Sequence, residues 1–297
     1  MQGLPQTRDL EIFVAVVDDE GFAEAGRRFG VAASTVSRAV TRLEAQLGVH
    51  LLRRSTRQIE LTPEGRDMLQ EAREIIRRAE TLVDIAQKSR APRGPLRVNA
   101  PVPYLIHRIA PRLHEFHQAY PDIQVTLEMT DNIVDLIEAG ADVAIRFGPL
   151  SDSDLLRRRL GRTHWRLVAA PSYLTEMGMP SRPADLSEFH QVRFVSPEHI
   201  NEMRFTGLLE PVKPIASVRA GNGEAVRQLV LNGMGIARFS DFMVENDLNE
   251  GRLVELFPGQ LDAAPLEINA VFMTRSSGLR RLSVFLDWLA TISPDDR

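Results

Sequence analysis

The stretch from Ala33 to Leu47 constrains this chain more than any other, because it reads as a helix with two incompatible faces. At 100° per residue from Ser34, Val36, Val40, Leu43 and Leu47 fall between about 180° and 240°. Ser34, Ser37, Arg38, Thr41 and Ala45 lie on the opposite side, with Arg42 at its margin. One face must be buried, and the other carries hydroxyls, a methyl and guanidinium groups. Short side chains allow close approach to a major groove, and Arg or Ser/Thr can meet base edges and phosphates. On its own such a face also suits a solvated helix in an ordinary bundle. Its neighbours argue for DNA.

Upstream, Leu10, Phe13, Val14 and Val17 recur at helical spacing. After Gly21 a short helix has Phe22, Ala25 and Phe29 on its inner side, and the small Ala25 permits a close crossing. Gly30 suits a left-handed helix end, with Val31 beneath the turn. Two short helices, a glycine turn and the bipartite third helix make a helix-turn-helix. Downstream, His50–Thr62 alternates and is β-prone, which reads as a two-stranded wing with its tip at Arg53 to Arg57. The net charge of −4 hides a local patch, since seven arginines and a single acid, Glu44, occupy Arg27 to Arg57. Phosphate attraction follows the patch and not the sum.

The stretch FVAVVDDEGFAEAGRRFGVAASTVSRAVTRLEAQLGVHLLRRSTRQIELTPEG resembles the N-terminal signature of LysR-type transcriptional regulators, nearly continuously over residues 10–65. The resemblance implies a winged helix-turn-helix, a long dimerising linker helix and a periplasmic-binding-protein-like effector domain, with DNA bound as a dimer of dimers. Carried over position by position, it makes Ser34, Thr35, Ser37, Arg38 and Arg42 the candidates on the recognition helix and Arg54 and Arg57 those on the wing. Relatives often have Ser at the helix cap and Gln after it, where this chain has Ala32 and Ala33. Ala32 forgoes a cap worth about 0.5–2 kcal/mol unless Ser34 replaces it. Ala33 removes a side chain that reads bases, although its methyl can touch a thymine methyl.

Thr62-Pro63-Glu64 is a helix start, with a hydroxyl cap, a proline in the first turn and an acid at the positive end of the dipole. Met68, Ala72, Ile75, Ala79, Leu82 and Ala86 then repeat at spacings of four and three, with Leu69, Ile76 and Val83 as a second stripe. A heptad helix between domains is expected to pair with a second copy, and docking on its own domain is the plainer alternative. Arg90-Ala91-Pro92-Arg93-Gly94-Pro95 ends the helix as a hinge. The expected domains are 1–62 (DNA-binding), 63–90 (linker) and 91–297 (effector-binding).

From Leu96 strands and helices alternate. Strands are expected at Leu96–Ala100, Ile123–Met129 and Asp142–Phe147, with helices at Val102–Tyr120 and Asn132–Ala139 between them. A second block has strands at Ala216–Gly221 and Gly235–Phe239 around a helix at Gly223–Asn232. The last strand, Leu266–Met273, and the helix Leu279–Thr291 are expected to return to the first block. This rhythm implies mostly parallel sheets in an α/β domain of two lobes, lobe I near 96–170 and 266–297 and lobe II near 171–265. Ligands of open α/β sheets sit outside the carboxyl ends of the strands, hence between the lobes. DNIVDLIEAGADVAIRFGPLSDSDLLRRRLGRTHWRLVAAPSYL and LVLNGMGIARF continue the resemblance more loosely. It implies a cleft lined by Pro101, Val102, Tyr104, Asp131, Asn132, Arg146, Phe147 and Asn222. Helix starts near Val102, Asn132 and Gly223 would favour an anion there. Relatives often have Ser or Thr where this chain reads Pro101-Val102-Pro103-Tyr104, so an apolar or aromatic component is expected in the ligand.

No Gly-x-Ser-x-Gly elbow, P-loop or Gly-x-Gly-x-x-Gly occurs, and no nucleophile–base constellation supports an enzyme. Gly221-Asn222-Gly223 lacks the third glycine and the lysine of a phosphate loop. His107, His114 and His117 share a face by spacing, but no Glu-x-x-His or His-Glu-x-x-His pattern accompanies them, so a metal role is not adopted. No cofactor is expected. Cysteine is absent, which excludes thiolate chemistry and disulfides. No apolar run approaches the ~18 residues that span a bilayer, and MQGLPQTRDLE has no basic and then apolar leader, so a cytoplasmic address is expected. A ligand-independent architectural DNA protein would need basic surface beyond residues 27–57 and would have no use for two lobes. The expected partners are operator DNA, a second copy, a small-molecule effector and, through promoter geometry, RNA polymerase.

Overall fold

The computed structural model describes residues 4–54, 59–86, 91–129, 141–149, 155–273 and 279–293. These form two compact units that divide near Arg90.

In the first unit, α1 (Thr7–Asp18), α2 (Phe22–Phe29) and α3 (Ala33–Leu47) precede a hairpin of β1 (Leu52–Arg54) and β2 (Ile59–Leu61). α4 (Pro63–Ala86) closes it. Phe13, Val16, Ala25, Val36, Leu43 and Leu51 are fully buried at its centre. The α1 stripe is wider than Leu10, Phe13, Val14 and Val17, since Ile12, Ala15 and Val16 are also buried. The reason is that α1 packs against α3 on one side and α4 on the other. Gly30 is left-handed at φ +66°, and the Val31 amide reaches back to the Gly26 carbonyl at 2.9 Å. Leu52 opposes Leu61 and Arg54 opposes Ile59 in the antiparallel wing. Its tip, including Arg57, lies outside the described residues.

Thr62 caps α4, accepting the Gly65 amide at 2.8 Å while its hydroxyl donates to the His50 carbonyl at 2.7 Å. The first half of the heptad stripe is used within the chain: Leu69 and Ala72 are buried in the head core and Met68 and Ile76 pack on it. Ile75, Leu82 and Val83 remain exposed.

The second unit holds two five-stranded sheets. The first has the order β4 (Ile123–Met129), β3 (Gly94–Ala100), β5 (Val143–Phe147), β12 (Leu266–Met273) and β6 (Leu155–Thr163). The second has β11 (Val254–Glu255), β7 (Trp165–Ala169), β10 (Ile236–Ser240), β8 (His190–Phe194) and β9 (Ile215–Ala220). Both are mixed and not mostly parallel: β12 is antiparallel to β5 and β6, and β7 to β10 and β11. β12 returns to the first sheet after the second is complete, and it enters from the end by which β6 left. The chain changes sheets at His164, so Trp165–Ala169 belongs with the second sheet and the lobe boundary near 170 moves back. Leu266 is the partner of Thr163, which places the two crossings side by side.

The expected single helix at Val102–Tyr120 is broken into α5 (Val102–Tyr104), a π turn (Leu105–Ile109), a 3-10 turn (Ala110–Arg112) and α6 (Leu113–Ala119). Pro111 has no amide to donate to the preceding turn, so α-helical pairing fails there. Among the described residues the further α-helices of this unit are α7 (Pro171–Met177), α8 (Gly223–Leu231), α9 (Asp241–Asn249) and α10 (Arg280–Ile292). In the turn before β10, Gly235 has φ +144° and a Cβ there would overlap the His190 carbonyl. Only glycine suits such backbone.

Candidate DNA interface and effector cleft

The structure places Ser34, Thr35 and Arg38 on the exposed face of α3, with Ser37 half-buried beside them. Arg38 lies back along the helix, its Nε 3.3 Å from the Ser34 carbonyl and its Nη2 3.4 Å from Thr35 Oγ1. These contacts are long and exposed, so a phosphate or base edge can displace them at little cost. No side chain caps α3, and Ser34 does not replace the missing hydroxyl at Ala32. Arg53 is exposed on the wing.

Arg42 is in a different position. Its guanidinium grips Asp9 with both prongs, Nε to Oδ2 at 2.8 Å and Nη2 to Oδ1, and this hydrogen bond raises its pKa. Asp9 is 1% exposed. A buried carboxylate holds this fork in place and ties α3 to α1. Glu44, the lone acid of the basic run, accepts the Leu51 amide at 2.8 Å and the Leu52 amide at 3.3 Å. It fixes where the wing leaves α3. Neither role has a sequence signal, because Asp9 and Arg42 are 33 positions apart and Glu44 acts on backbone.

In the second unit the lobes touch where Pro103, Tyr104 and His107 meet Gly223, Phe242 and Glu224. Pro101, Val102 and Phe147 are half-buried, at the ends of β3 and β5. Tyr104 is fully buried, edge-on to Phe147 and Phe242 with ring centroids 5.8 Å away in each case. Its hydroxyl lies 2.7 Å from Ser293 Oγ, and burial pushes its pKa up to about 12. Tyr104 therefore packs as core in this state. Ser293 donates onward to the Leu289 carbonyl, so the phenol donates to Ser293. Tyr104→Phe should lower the stability of this unit by about 1–2 kcal/mol and leave the ligand response intact. Denaturant unfolding beside a ligand titration checks this, and loss of the response at unchanged stability would place the hydroxyl on the ligand.

Arg146 is half-buried, and its Nη1 donates to Asn99 Oδ1 and to the Ile145 carbonyl, each at 2.9 Å. Burial lowers its pKa. Asn222 caps α8, accepting the Ala225 amide at 3.0 Å. Asp131 and Asn132 lie outside the described residues. Across the lobes, a Cβ on Gly223 would stand 3.0 Å from Pro103 Cγ, and His107 Nε2 meets Glu224 Oε2 at 2.9 Å. His107 thus serves a contact between lobes, and the broken helix separates it from the exposed His114 and His117. Phe242 and Glu224 were invisible to sequence reasoning, since only the closure of two lobes brings them to β3.

A winged helix-turn-helix, a long helix and a two-lobed α/β domain define a DNA-binding regulator with a ligand-sensing part. Comparison with known proteins agrees. Residues 7–66 match the model of the bacterial regulatory helix-turn-helix protein, lysR family, and residues 89–292 match the LysR substrate binding domain. The chain is 36% identical over 285 residues to the HTH-type transcriptional regulator CrgA of Neisseria meningitidis, covering 95% of each. It is 31% identical over 288 residues to the regulator YhjC of Escherichia coli, covering 95% of this chain and 96% of that one. The solved CrgA structure superposes with a TM-score of 0.65 over 96% of this chain and 97% of that chain, at 36% identity. A full-length OxyR variant from Pseudomonas aeruginosa, 19% identical, shares the fold with a TM-score of 0.73 over 99% of each chain. The chain belongs to the LysR family of transcriptional regulators and pairs a DNA-binding head with an effector-binding domain. No helix among the described residues is long and apolar enough to cross a membrane.

Proposed function

We propose that a dimer or dimer of dimers of this chain binds an operator through Ser34, Thr35, Ser37 and Arg38 and through the arginines of the wing, and that a small anion with an apolar body controls it from between the lobes. The observation that carries the reading is the division of labour on α3. Arg42 pairs with the buried Asp9 and so holds the helix, although its side chain is half exposed, while Ser34, Thr35 and Arg38 face solvent without a buried partner. Residues 1–62 act as the head, 63–90 as the linker and 91–297 as the sensor. Ligand binding shifts the population of lobe arrangements, which changes the spacing of paired heads. DNA bending and access for RNA polymerase change with it.

Arg38→Ala should weaken operator binding by about 1–3 kcal/mol, or roughly tenfold to a hundredfold, and leave the ligand affinity of the sensor unchanged. Paired DNA and ligand titrations check this, and equal loss of both would remove α3 from its assigned role. The whole reading is tested by footprinting the protein on the DNA beside its own gene, across a salt series and with candidate metabolites. A short footprint whose length or bend responds to one metabolite is expected. Unchanged length and bend under saturating metabolite, while transcription changes, would overturn the mechanism.

A further inference from the structure

The sheet of the second lobe has two faces. Phe194 points toward Gly223 at the start of α8, whose N-terminus fronts the other lobe. Gln191 and Arg193 alternate to the opposite face. Ile236 is level with Gln191 in the parallel pairing of β10 with β8, so Arg238 is level with Arg193 on that face. Against it lies a cavity of about 530 Å³, walled by Arg193, His199 and Lys213 and by the apolar Pro211, Val212 and Pro214. That volume suits a small organic molecule.

Arg193 and Lys213 on the cavity wall are matched in number by Glu198 and Glu202, but the partners are unevenly distributed. Its wall carboxylates are already shared among arginines: Glu198 pairs with Arg193 and, at 3.0 Å, with Arg219, and Glu202 pairs with Arg204 at 2.8 Å. Lys213 is exposed and has no acid partner among the described residues. Behind the wall Arg238 is only 7% exposed. Its guanidinium stacks 4.3 Å over Trp165, and Nη2 donates to the carbonyl of His199, a wall residue, at 3.1 Å. Its Nε has no partner, and no carboxylate stands within ion-pair distance of it among the described residues. Burial pushes its pKa down to about 10, with a smaller opposing effect of Glu202. A buried cation without a counter-charge is costly, and a nearby anion relieves that cost.

We propose that this cavity is a second ligand site, apart from the contact region between the lobes, and that it takes a small carboxylate with a compact apolar body. The carboxylate lies toward Lys213 and Arg193 and adds its charge to the field at Arg238. The apolar body rests on Pro211, Val212 and Pro214.

The test is calorimetric titration of the full-length chain with cyclohexanecarboxylate, followed in parallel by tryptophan emission, since Trp165 lies under Arg238. Saturable binding with a change in emission is expected, and the neutral cyclohexylmethanol should give neither. Lys213→Glu changes an exposed side chain and should weaken one saturable component of binding about tenfold or more, whereas Val102→Trp, which crowds the region between the lobes, should leave that component in place. The proposal is overturned by absence of saturable binding, by equal affinity in Lys213→Glu, or by loss confined to Val102→Trp. The last result would put the carboxylate between the lobes and would support the effector reading while removing this site.

Discussion

Gly65→Ala should abolish operator binding and leave the effector-binding unit folded. Gly65 lies in the first turn of α4, where the linker helix meets the start of the wing. An added Cβ there would overlap the Leu51 carbonyl oxygen, 2.9 Å from the carbonyl carbon and 3.0 Å from Thr62 Oγ1. These are backbone and capping atoms and cannot rotate aside. The Leu51 carbonyl also accepts the Thr62 amide at 3.0 Å, and Leu51 is fully buried. Relief of the overlap must therefore pull α4 from the head or tear open the wing junction. Overpacking of this kind costs about 3 kcal/mol or more, a large share of the roughly 5–10 kcal/mol of net stability that a small unit possesses. Thermal unfolding should show the head transition moved down or lost beside an unchanged sensor transition, with DNA binding gone. Gly48→Ala is the control. Gly48 is left-handed at φ +71° with open space around its Cβ, so the cost is about 1–2 kcal/mol and binding survives. Normal DNA affinity in Gly65→Ala would show that the head does not depend on this junction.

Asp at Leu82 and Val83 together should dissociate the dimer and weaken operator binding by about 10²–10⁴-fold. Both side chains are exposed in the single chain, Leu82 at 69% and Val83 at 46%, on a 24-residue helix whose N-terminal half is already used by its own head. An apolar stripe left over in this way gains stability by meeting its copy. Two heads on one frame bind DNA with the second step intramolecular, and a separated head loses that advantage. Sedimentation or light scattering reads the mass, and a DNA titration reads the affinity. The head should keep its thermal midpoint, because neither side chain belongs to its core. A dimer that persists would move the self-association surface off this helix.

Much of the head was legible because its logic is local. Gly30 and Gly48 are both left-handed, as helix-ending glycines should be, and the α3 bounds follow from its own two-faced pattern. The Thr62-Pro63-Glu64 start of α4 is equally local. Long-range partnerships left no trace: Asp9 beneath Arg42, Glu44 on the wing amides, and Met68 to Ile76 turned onto their own head core. Heptad spacing states that a stripe is apolar and not which surface covers it. In the effector unit, Ile123–Met129 and Leu266–Met273 were readable from their apolar, β-prone runs. The arginine-rich β6 was not, because its charges hide the pattern of a strand at a sheet edge. Strand direction was not readable either, since it depends on the end from which a returning chain enters.

By itself the sequence determined that this protein has a two-faced recognition helix after a glycine turn, a basic wing, a capped linker helix and an α/β sensor, and those features mark the family. Each rests on side-chain chemistry and spacing within a dozen or so residues, which the chain carries before it folds. Tertiary structure alone decided that Arg42 pairs with a buried Asp9, that Tyr104 is buried between Phe147 and Phe242, that His107 bridges the lobes and that Arg238 is buried beside a cavity without a carboxylate at ion-pair distance among the described residues. Each of those depends on burial and on partners distant in the chain, and burial is a property of the packed whole.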